Sequence, residues 1–197
     1  MARTPGAKLV LSVLAAIGCV SLAPMAAMGG AKPQPEEIER LRDQAMALGF
    51  STDPSAARSL AALLPYPSEV VRATAATSLG EIGTADAVAA LTAAYAKERS
   101  KFVRAEMASA LGAAARRESA AFVLAQLERE KDRDVRAALA NALGRIGDPS
   151  TAPALAARLR DKDAFVRREV IRALGAIRTG APVASVIEAL ASDSEPD

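Results

Sequence analysis

Apolar residues recur along this chain at two nested periods. Within short segments they fall four apart, as at Val71, Ala75 and Leu79 or at Val135, Leu139 and Leu143. That spacing places them on one stripe of an α-helix. On a longer scale the whole pattern returns. Leu-Gly stands at Leu79-Gly80, Leu111-Gly112, Leu143-Gly144 and Leu174-Gly175, in steps of 32, 32 and 31, with Leu48-Gly49 31 residues earlier. Val-Arg keeps the same phase at Val71-Arg72, Val103-Arg104, Val135-Arg136 and Val166-Arg167, each Val eight residues before its Leu. A fixed period of this length marks stacked supersecondary units.

Each unit predicts two helices. Ser68, Ser100, Asp132 and Asp163 stand three residues before the four Val positions, and their side-chain oxygens suit the orphan N–H groups of a first turn. The Gly after each Leu lies near the helix end. A second helix follows almost at once, after Gly83-Thr84 in one unit and Gly147-Asp148-Pro149 in another. Its stripe runs through Val88, Leu91 and Tyr95, then Ala152, Leu155 and Leu159, and closes with Val183, Val186 or Ile187, and Leu190. The segment from Glu36 to Leu64 fits the plan poorly, with Arg40 and Leu41 where Val and Arg should be, and reads as a degenerate capping repeat. Pro65-Tyr66-Pro67 breaks the chain after it. No unit can bury both faces of its helices alone. The expected fold is therefore all-α, an α-solenoid of about five antiparallel helix pairs over residues 36–192, with a polar tail at 193–197. Its Ala-rich core predicts close helix packing and modest stability per repeat.

The motif Ser/Asp-x-x-Val-Arg, an Ala-rich helix, Leu-Gly-x-Ile-Gly-Asp and a second helix ending in Leu resembles the short HEAT repeat. That form occurs in bacterial HEAT proteins and in phycobilin lyase subunits. The fullest copy runs from Asp132 to Leu159 and keeps Asp132, Val135, Arg136, Leu143, Gly144, Ile146, Gly147 and Asp148. The resemblance spans about Glu36 to Leu190. It departs in one unit, where Ala113 to Arg116 replace the Gly-x-Ile-Gly-Asp turn, so that unit's second helix is expected to start irregularly. The resemblance implies a scaffold. It also implies a structural role for the row Arg72, Arg104, Arg136 and Arg167, linking neighbouring repeats through carboxylates or helix-end carbonyls. A chromophore-handling, lyase-like role follows from the same resemblance as an alternative. Nothing beyond the repeat carries that alternative.

The first thirty residues read as an address. Arg3 and Lys8 are followed by an uncharged, mostly apolar run from Leu9 to Met28 and then by small residues. That order is the pattern of a secretory signal, with cleavage expected after Gly29. Residues 1–29 are thus a signal or an N-terminal anchor, and 30–35 a linker. Two other fates stay open. The run is long enough to cross a bilayer. Ala16-Ile17-Gly18-Cys19 resembles a lipobox, which makes Cys19 a candidate lipidation site. The expected location is the periplasm or exterior, or the membrane if the segment is retained or Cys19 is lipidated.

Composition then removes several chemistries. The chain has no His and one Cys, which excludes Ser-His-Asp triads, Cys-His dyads and His- or Cys-based zinc sites within it. No phosphate-binding glycine loop and no paired acids in an evident cleft stand out. The expectation is a non-enzyme without cofactor or metal. The 25 basic and 23 acidic residues nearly cancel, and Arg3 and Lys8 leave with a cleaved signal. Charge is uneven, however: Arg99 to Arg178 holds 17 basic and 10 acidic residues. A basic surface for anionic lipid or nucleic acid is therefore a further alternative, although few aromatic residues are present to stack on bases. The leading expectation is an adaptor in the bacterial cell envelope that binds another protein. Its concave face would be lined by the second helices, with Gln126, Arg158, Arg160 and Glu188 as contact residues. Leu143→Ala, which truncates the central stripe, is expected to cost about 2–5 kcal/mol in a chemical denaturation series.

Overall fold

Residues 33–177 are described by the computed structural model of this chain, and among them every regular element is a helix. The first pair is α1 (Pro35–Gly49) and α2 (Ala56–Ala61). It is followed by α3 (Glu69–Ile82) and α4 (Ala85–Tyr95), then α5 (Lys101–Ala114) and α6 (Ala120–Arg129). The next pair is α7 (Arg133–Ile146) and α8 (Ala152–Ala156), and α9 (Ala164–Ile177) opens one more repeat. The helices stack in chain order as an all-α solenoid. The stripe at Val183, Val186, Ile187 and Leu190, the leader 1–29 and the tail 193–197 lie outside the described residues.

The ends of the first helices follow local rules. Ser100 accepts from the Val103 N–H, Asp132 from the Asp134 and Val135 N–H groups, and Asp163 from the Phe165 N–H. Ser68 departs from the expectation: it occupies the N-cap position of α3, but its hydroxyl makes no capping bond. Only its backbone carbonyl serves there, accepting from the Arg72 N–H at 3.1 Å. At the other end, Gly83 and Gly147 turn the chain with φ of 60° and 67°, in the left-handed region where glycine carries no Cβ penalty. The unit that lacks this glycine makes the same turn with Ala115, at φ 50°. Its second helix starts through a 3₁₀ turn at Arg117–Ser119. The single second helix expected up to Leu159 is instead broken, with 3₁₀ turns at Pro149–Thr151 and Ala157–Arg160 flanking α8. Pro153 has no N–H to donate back to the Pro149 carbonyl, so an α-helix cannot run through from that turn.

The two layers of the stack are spaced differently. Successive first helices meet at backbone contact. A Cβ placed on Gly80 would lie 2.7 Å from the Ala110 Cα, one on Gly112 2.8 Å from the Ala142 Cα, and one on Gly144 2.6 Å from the Ala173 Cα. Glycine is the only residue that fits there without moving the neighbouring helix. Beneath this seam lie the fully buried Val71, Leu79, Val103, Leu111, Leu139 and Leu143. Between α4 and α6 larger side chains separate the second helices. Tyr95 of α4 meets Phe122 of α6 edge-on, with ring centroids 5.8 Å apart and planes at 89°. α4 and α6 touch little otherwise, whereas α1, α3, α5 and α7 each lie along the next first helix. A first-helix layer in backbone contact beside a second-helix layer whose members approach less closely gives the stack a wedge section. Within the described stack the first helices are thus the inner layer. The sequence expectation had the second helices lining the concave face.

The Ala115 turn generates a prediction. A non-glycine residue in the left-handed region carries about 1 kcal/mol of strain. Ala115→Gly is therefore expected to raise stability by up to about 1 kcal/mol, read as an upward shift of the thermal midpoint.

Candidate functional site

The row of arginines forms a set of repeated clamps. Arg72 donates from Nε to Glu98 Oε2 at 2.7 Å and from Nη2 to Glu98 Oε1 at 3.0 Å, while its Nη1 reaches the Tyr66 and Pro67 carbonyls at 2.9 and 3.0 Å. Arg104 holds Glu130 in the same fork at 2.9 and 3.1 Å and donates from Nη1 to the Arg99 carbonyl at 2.9 Å. Arg136 grips Asp161 with two bonds of 2.8 Å and reaches the Lys131 carbonyl at 2.8 Å. Arg167 donates to the Asp161 carbonyl at 2.8 Å. A planar guanidinium is suited to this geometry because its fork matches both carboxylate oxygens at once.

The acids do more than neutralise the arginines. Glu98 Oε1 also accepts from the Arg99 and Ser100 N–H groups, Glu130 Oε1 from Lys131 and Asp132, and Asp161 Oδ1 from Asp163. Each carboxylate thus sits after a second helix, is gripped by the arginine of its own repeat, and orders the turn into the next first helix. Burial pushes the Glu98 and Glu130 carboxyls up, but the bonds from arginine and backbone outweigh it and hold both below the usual range. Asp161 is lowered by the same balance, with burial opposing.

Two surface grooves flank this framework. One lies on the second-helix side, about 620 Å³, and is lined by Leu64, Tyr66, Pro67, Ala90, Ala94 and the Arg72–Glu98 clamp among others. The other, about 430 Å³, lies across the first helices and is lined by Met46, Phe50, Val70, Thr77 and Phe102, with Glu81 and Glu106. Exposed large apolar side chains concentrate on that inner layer. Phe50, Phe102, Val70 and Met46 are 81, 51, 47 and 44% exposed, and Phe165 of α9 is 39% exposed. Val70, Phe102 and Phe165 each stand immediately before a Val-Arg pair, so the repeat phase was the signal that could have found them.

The contact residues expected on the second helices are placed apart from both grooves. Gln126 and Arg158 are half-buried and Arg160 is exposed. Glu188 and Cys19 lie outside the described residues. Some of the cations in the basic stretch are matched by its own acids: besides the clamps, Lys101 pairs with Asp132 at 3.3 Å, Arg133 with Asp134 at 3.3 Å, and Arg172 with Glu169 at 2.6 Å. Among the described residues no group of three Cys, Asp or Glu side chains is placed to hold a metal ion. No described helix is long and apolar enough to cross a membrane.

Breaking a clamp leaves a buried carboxylate without its cation. Arg104→Ala is expected to cost about 2–4 kcal/mol, below the cost at a fully buried pair because the Arg104 side chain keeps 19% of its surface. The pH dependence has a definite sign. The clamped carboxyls titrate below their unfolded values of 4.5 for Glu and 3.8 for Asp, so the unfolded chain takes up protons first as the pH falls. Their stabilisation is complete above the unfolded values and is lost below them. Thermal midpoints are expected to fall below about pH 4.5, and Glu130→Gln should flatten that fall.

These features agree with comparison to known families. A family model for HEAT repeats matches residues 36–112 and 120–197. The seven residues between the two matches contain the Ala115 turn and the 3₁₀ start of the following helix. No curated protein matches the chain. HEAT repeats build helical scaffolds that usually mediate protein interaction and are typically non-catalytic. The chain belongs to the HEAT-repeat family.

Proposed function

We propose that this protein is an exported, non-catalytic scaffold of the bacterial cell envelope that binds another protein through its first-helix layer. The observation that carries the reading is the concentration of Met46, Phe50, Val70 and Phe102 around one groove of that layer. Exposed apolar side chains gathered in a patch mark interaction sites far better than the same residues scattered singly. Export rests on the sequence order of Arg3 and Lys8, the apolar run Leu9 to Met28, and small residues after it. Cleavage at Gly29, lipidation at Cys19 and retention as an anchor all bring the repeats to the same side of the membrane. The lipid and nucleic-acid alternatives need unmatched cations, whereas the charged side chains lining the first-helix groove are the acids Glu81 and Glu106. The lyase-like alternative has only the repeat in its favour.

A photo-cross-linking residue placed at Phe102, and separately at Arg160, tests this reading in the native envelope with mass-spectrometric readout. One stoichiometric protein captured from Phe102 is the expected result. Capture from Arg160 alone would return the interface to the second helices, where Gln126, Arg158 and Glu188 were expected to act. Recovery of the chain alone from both positions would remove the scaffold reading.

A further inference from the structure

The groove across the first helices has a chemical polarity as well as a shape. Its walls are Met46 and Phe50 at the end of α1, Val70 at the start of α3 and Phe102 at the start of α5. Its floor is made of small residues of α3, Ala73, Thr77 and Ser78. The charged side chains that line it are Glu81 and Glu106, both acids. Neither makes an ion pair with a described residue. Lys101, the base next to Phe102 in the chain, is committed to Asp132 of the following repeat at 3.3 Å. The groove therefore offers apolar area beside two negative charges that lack a cation.

The other groove offers no such demand. Its Arg72 and Glu98 already satisfy each other through two bonds, and Glu98 is further held by two backbone N–H groups. A ligand there would have to compete with the clamp that holds the repeat together.

Resting on the protein-binding reading above, we propose that the first-helix groove receives a cationic apolar segment of the partner. This is a stretch in which aromatic or aliphatic side chains adjoin Lys or Arg. The apolar side chains cover Phe50, Val70 and Phe102, and the cations lie against Glu81 and Glu106. Burial of apolar area supplies the affinity, and the two acids select against anionic or neutral competitors. Phosphate-bearing ligands are disfavoured at this site by the sign of its charge.

Selection from a random-peptide display library on the full chain tests the proposal, followed by binding of one labelled consensus peptide. The selected peptides are expected to place Lys or Arg beside aromatic or aliphatic residues. The consensus peptide should lose about tenfold or more in affinity against the Glu81→Lys, Glu106→Lys double variant and against Phe102→Asp. It should bind Arg158→Glu, Arg160→Glu as it binds the parent chain. All substituted side chains except the half-buried Glu106 and Arg158 are exposed, and a peptide with its Lys and Arg exchanged for Glu should recover binding to the Glu81→Lys, Glu106→Lys chain, which an unfolded variant cannot do. Enrichment of acidic or uncharged peptides, no enrichment, or indifference to the charge reversal overturns the proposal. The two readings fail separately. Native capture through Arg160 with no peptide binding removes this segment and keeps the scaffold. Peptide binding as described with no native capture removes the scaffold reading and keeps the groove's chemistry.

Discussion

Close approach of successive first helices is the constraint on which the rest of this stack depends. At Gly80, Gly112 and Gly144 the next helix's backbone occupies the space a Cβ would take. Helices usually pack with axes 8–10 Å apart, and removing the side chain at the crossing brings them to the near end of that range. Three consequences follow from this one contact. The first helices form a continuous layer. The layer curves inward, because the second helices approach each other less closely, as at α4 and α6 across the Tyr95–Phe122 ring pair. Residues on the layer's exposed face, such as Val70 and Phe102, are gathered onto one inward-facing surface.

The arginine clamps solve a different problem. Helix pairs joined by short turns leave backbone carbonyls and N–H groups at each junction that need partners. One guanidinium and one carboxylate satisfy several of them per repeat. Arg104, for example, takes the Arg99 carbonyl while Glu130 takes the Lys131 and Asp132 N–H groups. The last Arg–carboxylate clamp among the described residues shows how the geometry tolerates the shorter step of the repeat. There 25 residues rather than 26 separate arginine from acid, and Asp161 stands in place of Glu. The clamp is thus a junction device, repeated because the junction is repeated. Its charges are internally matched, which takes them out of the contest for external partners.

A division of labour between the layers results. Some cations of the basic middle stretch are held in clamps and ion pairs, but each pairs with an acid of the same stretch, so this pairing leaves its excess of 17 basic over 10 acidic residues unchanged. The inner layer instead carries apolar side chains and two acids at its N-terminal half. Function in repeat proteins lies in such grafted surfaces rather than in the fold.

The repeat itself was legible in the chain. Leu-Gly and Val-Arg recur in phase, and that phase set the helix pairs, the caps at Ser100, Asp132 and Asp163, the degenerate first unit and the irregular turn after Leu111-Gly112. The acids at Glu98, Glu130 and Asp161 recur in the same phase, yet they fall in turns, where no helical stripe distinguishes them from other surface acids. Ser68 and the broken second helix at α8 escaped because cap geometry and 3₁₀ tightening depend on local backbone detail. The inner and outer layers could not be told apart from the pattern alone. Periodicity says which residues of a helix are buried, but curvature is the difference between two interhelix distances, each fixed by side chains from different repeats. The sequence by itself determined the stack, its period and its buried stripes, because those are local and repeated. Only the tertiary structure decided which face turns inward and which exposed residues share a groove, because those depend on how thickly each layer packs.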